Sequence, residues 1–151
     1  MNPVPSYQTV CLACGSVNRV DNDRPAAAAR CGRCKTSLGL DDASELDDLQ
    51  LSRLLEWSQG LVLLDVWAPW CGPCRAMAPN FASAARALAG EARLVKLNAD
   101  TSQMVRRLGV SGIPALLLFR DGRIIERKAG LMSAQMLAQW VRGHSSAAAA
   151  S

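Results

Sequence analysis

The sequence predicts an α/β fold carrying a small amino-terminal appendage, and three observations lead there. From Ala43 onward, short apolar runs alternate with segments of helical periodicity in the order βαβ followed by ββα. At 151 residues the chain is long enough to bury one main core and too short for two large domains. Four of the six cysteines fall within the first 40 residues, a stretch with few large apolar side chains that cannot build a core alone.

The elements follow in order. Ser44 is read as the N-cap of a first helix with Asp47 in its first turn, Leu46, Leu49, Leu54 and Trp57 at helical spacing, and Gly60 at C′. Residues 61–68 form an apolar run without alternation, the pattern of a strand covered on both faces. A second helix is expected over 73–89, kinked at Pro79 and closed by Gly90. Strands follow at 93–98 and 115–119, with a short helix at 102–108 between them. Asp121-Gly122 is a hairpin turn into a strand at 124–128, and Ser133 caps a last helix carrying Met136, Leu137, Trp140 and Val141. The Ser/Ala tail, 145–151, is low in complexity and expected to fray.

Charge marks the joints. Residues 1–40 carry five bases and two acids, 41–50 carry five acids and no base, and the remainder has twelve bases and six acids. An acidic hinge therefore separates a small basic module, 1–40, from a larger one, 41–144. The net charge of +4 is too modest to point to nucleic acid. The longest apolar candidate for a membrane span, 113–119, is far short of the roughly 20 residues a spanning helix needs. The first residues carry neither a basic nor an apolar leader region, so the expected compartment is the cytoplasm. With His144 as the single histidine, histidine-based catalysis is disfavoured and the chemistry falls to cysteine.

Trp70-Cys71-Gly72-Pro73-Cys74 follows a buried strand and opens a helix, the context in which a C-x-x-C reads as a redox pair. A sulfur at a helix N-terminus faces unpaired N–H groups and the positive end of the dipole, both of which favour thiolate. Cys71 is thus the expected nucleophile. Cys74 lies on the same side of the first turn and is expected to resolve a mixed disulfide by intramolecular attack. Pro73 sits where a missing N–H costs nothing. Asp65, a carboxylate inside an apolar strand, has two readings: an acid-base group whose pKa burial raises, or a partner of Lys96. Trp67 is read as a core aromatic and Trp70 as part of the substrate-contact surface.

Cys11-x2-Cys14 and Cys31-x2-Cys34 are separated by 16 residues, the spacing of a four-cysteine zinc site. Gly15 and Gly32 stand where a tight turn around a metal needs backbone freedom. No histidine follows either pair, which excludes haem attachment. Two disulfides, disfavoured in a cytosolic setting, and an iron–sulfur centre are the alternatives. One zinc ion is expected, and its removal is expected to unfold the small module while sparing the larger one.

The run from Trp67 to Cys74, with Asp65, Pro79, Lys96, Gly112-Ile113-Pro114 and Gly130, resembles the thioredoxin family over residues 44–143. With the cysteine-rich module in front, nearly the whole chain is similar to the zinc-containing thioredoxins of bacteria. The resemblance implies a thioredoxin fold, a central mixed sheet flanked by helices, behind a zinc ribbon. It implies a cis bond before Pro114, an Ile113 backbone free to pair with a substrate strand, and a contact surface of Trp70, Gly72, Pro73, Ile113, Pro114 and Gly130. It assigns Asp65 the proton of Cys74, with Lys96 nearby in support. Val66 departs from the family, many of whose members carry Phe there. The implied activity is reduction of client-protein disulfides, recharged by a flavin- and NADPH-dependent thioredoxin reductase, by a monomer with no bound redox cofactor. The rivals are an oxidase or isomerase of the same fold, and a zinc-dependent, redox-sensing binding module or holdase. The ribbon itself is read as a structural cap or as a switch that loses zinc on oxidation.

Overall fold

The computed structural model describes residues 5–150, with side chains through residue 145. The described residues form two sheets. The smaller pairs β1 (Ser6–Val10) with β2 (Val17–Asp21), antiparallel. The larger contains β3 (Ser44–Leu46), β4 (Leu61–Trp67), β5 (Ala92–Asn98), β6 (Ala115–Arg120) and β7 (Arg123–Ala129), in the order β3-β5-β4-β6-β7. β3, β5 and β4 are parallel, and β6 and β7 antiparallel to their neighbours, so the sheet is mixed. Helices α1 (Asp48–Trp57), α2 (Gly72–Ala87), α3 (Met104–Arg107) and α4 (Ala134–Ala150) connect the strands or close the chain.

Alternation along β4 explains the layers. Leu61 and Leu63 face a core with Met77 and Phe81 of α2 and Leu137 and Val141 of α4. Val62, Leu64 and Val66 face the opposite core, with Leu51 and Leu54 of α1. Both faces are covered, as the unbroken apolar run predicts. The backbone of α4 continues through the alanine tail where fraying was expected, in keeping with alanine's helix propensity.

The start of the larger module differs from expectation. Ser44 opens edge strand β3, and Asp47 caps α1: its carboxylate accepts from Gln50 N at 2.7 Å while the Gln50 side chain accepts from Asp47 N at 2.9 Å. A three-residue strand is too short to show a period, and Asp is as good a cap as Ser. The helix ends at C-cap Ser58, so Gly60 lies one residue beyond C′. The hairpin at Asp121-Gly122 forms as predicted, with φ of 51° and 84°. Gly122 is required there, since a Cβ would collide with the carbonyl of Leu55.

The small module leans on the larger one. Val10 shares the apolar cluster of Leu51 and Leu54, and Ala89 packs against the small module's own cluster around Val20, Leu38 and Leu40. Gln8 and Gln59 exchange two hydrogen bonds, Gln50 donates to Leu12 O at 3.0 Å, and Arg53 donates to Gly15 O. Arg93, read from sequence as an ordinary strand residue, is buried in this junction.

Candidate active site and metal centre

β4 and α2 build the dithiol between them. The strand delivers the chain through Ala68 to Trp70, and Cys71 is the N-cap of α2, its sulfur accepting from Cys74 N at 3.3 Å. Pro73 occupies the first turn, and Gly72 has room for a Cβ. The two cysteines form a disulfide with a Cα–Cα distance of 5.3 Å, 5% and 2% exposed, in a cluster with Ala68, Trp67 and Ile113. The Ile113–Pro114 bond is cis. Among the described residues neither backbone group of Ile113 has a partner, whereas Pro114 O accepts from Gly130 N at 3.2 Å. Gly72, Pro73, Ile113, Pro114, Gly130 and Leu131 line one open groove beside the disulfide. Trp70 is 69% exposed at the rim and its indole donates to Asp100 at 2.9 Å.

Asp65 lies on the sheet face that α2 covers, 1% exposed, with neither carboxylate oxygen hydrogen-bonded. Burial pushes its pKa up to about 7, against the pull of Lys96 and with a smaller push from Glu45. Lys96 stands opposite Asp65 in the β4–β5 register, yet no ion pair joins them among the described residues. Its ammonium lies 4.6 Å from the centroid of the Trp67 ring, and the Trp67 indole donates to Glu45 at 2.8 Å. By sequence alone Glu45 falls in the acidic hinge and Asp100 between a strand and a short helix. Only knowledge of the β3–β5 pairing brings Glu45 to the site.

The four amino-terminal cysteines converge. Their sulfurs all lie within 4.8 Å of one another, with Cys11–Cys34 at 3.7 Å and Cys14–Cys31 at 3.6 Å. Four sulfurs about 2.3 Å from a tetrahedral ion would be about 3.8 Å apart, so the set fits such a metal. The two cysteine turns repeat one hydrogen-bond pattern. Cys11 N donates to Ser16 O and Gly15 N to Cys11 O, while Cys31 N donates to Thr36 O and Lys35 N to Cys31 O. The residue that needs a left-handed conformation is the one after each second cysteine, Gly15 (φ 78°) and Lys35 (φ 68°). Gly32, expected to fill that role, sits one position after Cys31 and does not. The N–H groups of Cys34 and Arg33 and the Asn18 amide all donate to the Cys31 sulfur, holding that thiol well below its ordinary range.

Comparison with known proteins agrees with this geometry. The Thioredoxin family model matches residues 43–143, and the model described as Thioredoxin 2, N-terminal, a zinc ribbon, matches residues 10–36. The chain is 34% identical to Thioredoxin C-3 of Corynebacterium nephridii, covering 87% of this chain and 91% of that protein. It is 42% identical to a thioredoxin of Pseudomonas aeruginosa over 56% of this chain and 79% of that one. A solved mutant thioredoxin from Halobacterium salinarum superposes with a TM-score of 0.61 at 28% identity, over 71% of this chain and 94% of that one. The chain belongs to the thioredoxin family: it is a thiol-disulfide oxidoreductase whose thioredoxin fold follows a zinc-ribbon module of the thioredoxin 2 type.

Proposed function

We propose that the chain reduces disulfides of client proteins through the Cys71/Cys74 dithiol and is returned to the reduced state by an NADPH-dependent thioredoxin reductase. The observation that carries this reading is the place of Cys71 at the N-cap of α2, with Cys74 N aimed at its sulfur. In the reduced protein that position favours the Cys71 thiolate, which attacks one sulfur of the client disulfide and expels the other as thiolate. Asp65 then takes the proton of Cys74. The resulting Cys74 thiolate attacks Cys71, closing the Cys71–Cys74 disulfide and releasing the second client thiolate. Two electrons leave the protein and the client gains two thiols. A carboxylate with a pKa near 7 is well matched to that proton transfer at neutral pH.

The contact surface is the groove of Gly72, Pro73, Ile113, Pro114 and Gly130, with Trp70 at its rim. The unpaired Ile113 backbone offers a client strand two hydrogen bonds. Gly72-Pro73 places no imidazole between the cysteines, which supports the reducing role over an oxidase or isomerase. Zinc is proposed at Cys11, Cys14, Cys31 and Cys34, where, when bound, it supplies folding free energy to a module with a small core. No helix among the described residues is long and apolar enough to cross a membrane. A monomer working in the cytoplasm is part of the same proposal.

Insulin reduction tests the reading. Cys71→Ser abolishes turnover, whereas Cys74→Ser traps clients as mixed disulfides on Cys71. Turnover that survives Cys71→Ser overturns it, as does a wild-type chain that reduces no insulin and is indifferent to the substitution, the behaviour of a zinc-dependent binding module or holdase.

A further inference from the structure

We propose that the groove beside the disulfide selects client segments bearing acidic residues next to their cysteines, with Arg127 as the main reader of that charge. This deepens the reductase reading and rests on it. The three stretches that flank the groove, 72–76, 109–117 and 127–131, contain Arg75, Arg127 and Lys128 and no acid. The rest of the lining is small or apolar, including Val110, Ile113 and Leu131. Client backbone and apolar side chains therefore find a neutral surface, and charge discrimination falls to the bases.

Topology keeps this charge uncompensated. β7, which carries Arg127 and Lys128, is one edge of the large sheet, and β3, with the acidic stretch around it, is the other. Glu126, the acid on β7, is 3.5 Å from the His144 imidazole. Arg127 is exposed and forms no ion pair among the described residues. Its guanidinium lies beside Gly109, with Nη2 3.4 Å from where a Cβ on that glycine would be. Arg127 thus forms part of the groove wall. The Lys128 ammonium is drawn 5.3 Å over the Trp140 ring, so it adds to the field more than to direct contact. Exposed charges of this kind act on encounter rate and partner choice more than on affinity, and salt screens them.

The test uses the full-length reduced protein and three synthetic disulfide peptides that differ only in whether the cysteines are flanked by Glu, Gln or Lys. At low ionic strength the single-turnover second-order rate constant is expected to fall from the Glu to the Lys peptide by roughly five- to ten-fold, and the spread should collapse near 0.5 M salt. Arg127→Gln should remove most of the spread, Arg127→Glu should invert it, and Arg123→Gln, at the far end of β7, should leave it unchanged. Equal rates for the three peptides, or a spread that survives Arg127→Glu, overturn the charge reading alone. Failure to reduce any of them overturns the reductase reading and this proposal with it.

Discussion

Arg93, the second residue of β5, donates from its guanidinium to the main-chain carbonyl of Val10 at 2.7 Å, across the junction of the two modules. It also donates to Thr9 Oγ1 at 2.8 Å and to Leu38 O at 2.7 Å, so all three acceptors come from the small module and the cation from the large one. Burial holds its pKa down to about 10, and the acceptors offset the cost of keeping the charge there. The two modules are therefore one energetic unit at this point.

Metal removal should consequently unfold the small module and lower the stability of the larger one, which is still expected to stay folded. Unfolding the ribbon costs Arg93 three hydrogen bonds of about 1 kcal/mol each and exposes the apolar surface of Val10's cluster. The α/β module should lose on the order of 10 °C in Tm on chelation. Arg93→Ala should remove most of that difference while destabilising the metal-loaded protein by about 3 kcal/mol. Calorimetry of the four species decides, and an α/β transition unmoved by chelator would show that the bonds contribute nothing.

Asp65 should make the oxidised protein less stable as pH rises. Its folded pKa, about 7, lies above the unfolded carboxylate value of about 3.8. Between those values the native state holds a proton that the unfolded state has lost, so unfolding free energy falls from about pH 4 to pH 7 and stays low above it. Asp65→Asn should flatten this slope and be more stable than wild type at pH 8 by about 1–3 kcal/mol. Denaturant midpoints at pH 5 and pH 8 measure it, and a wild-type slope retained by the variant would assign the effect elsewhere. The same substitution should slow release of reduced client more than the first attack, as seen by stopped flow.

Gly122→Ala should cost about 2 kcal/mol or more. The residue needs φ 84° and its Cβ would meet the carbonyl of Leu55 in α1, so both backbone strain and a steric shift are incurred. Urea unfolding checks this, and a loss below about 0.5 kcal/mol would mean that the hairpin relaxes freely.

What the sequence made legible was local. The unbroken run of β4, the turn at Asp121-Gly122, the N-cap position of Cys71 and the cysteine spacing each depend on neighbours within a few residues. What it hid was set by long-range pairing. Ser44 and Asp47 are both good caps, and only the pairing of Ser44–Leu46 with Val95–Leu97 decides that one is strand and the other cap. Arg93 begins an apolar strand, where an isolated base reads as surface until its acceptors, more than 50 residues away, are placed. Lys96, brought near Asp65 by the family resemblance, stands opposite it in the β4–β5 register, but the indole beneath its ammonium lies two residues further along β4.

That arrangement gives a last prediction, on how Asp65 is tuned. Lys96 lowers its pKa and Glu45 raises it, and both are held by Trp67, one through the ring face and the other through the indole N–H. Burial remains the largest influence, so neither neighbour should restore an ordinary carboxylate. Lys96→Met should raise the Asp65 pKa and Glu45→Gln should lower it. Trp67→Phe removes the hydrogen bond to Glu45 while keeping a ring for Lys96, so it should affect the Glu45 contribution and leave that of Lys96 in place. Titrating the Asp65 carboxyl carbon by isotope-edited NMR in the oxidised protein reads the three variants directly. Shifts of opposite sign for Lys96→Met and Glu45→Gln are the expected result. Shifts of the same sign, or none, would leave desolvation as the sole cause and strip Lys96 of its supporting role.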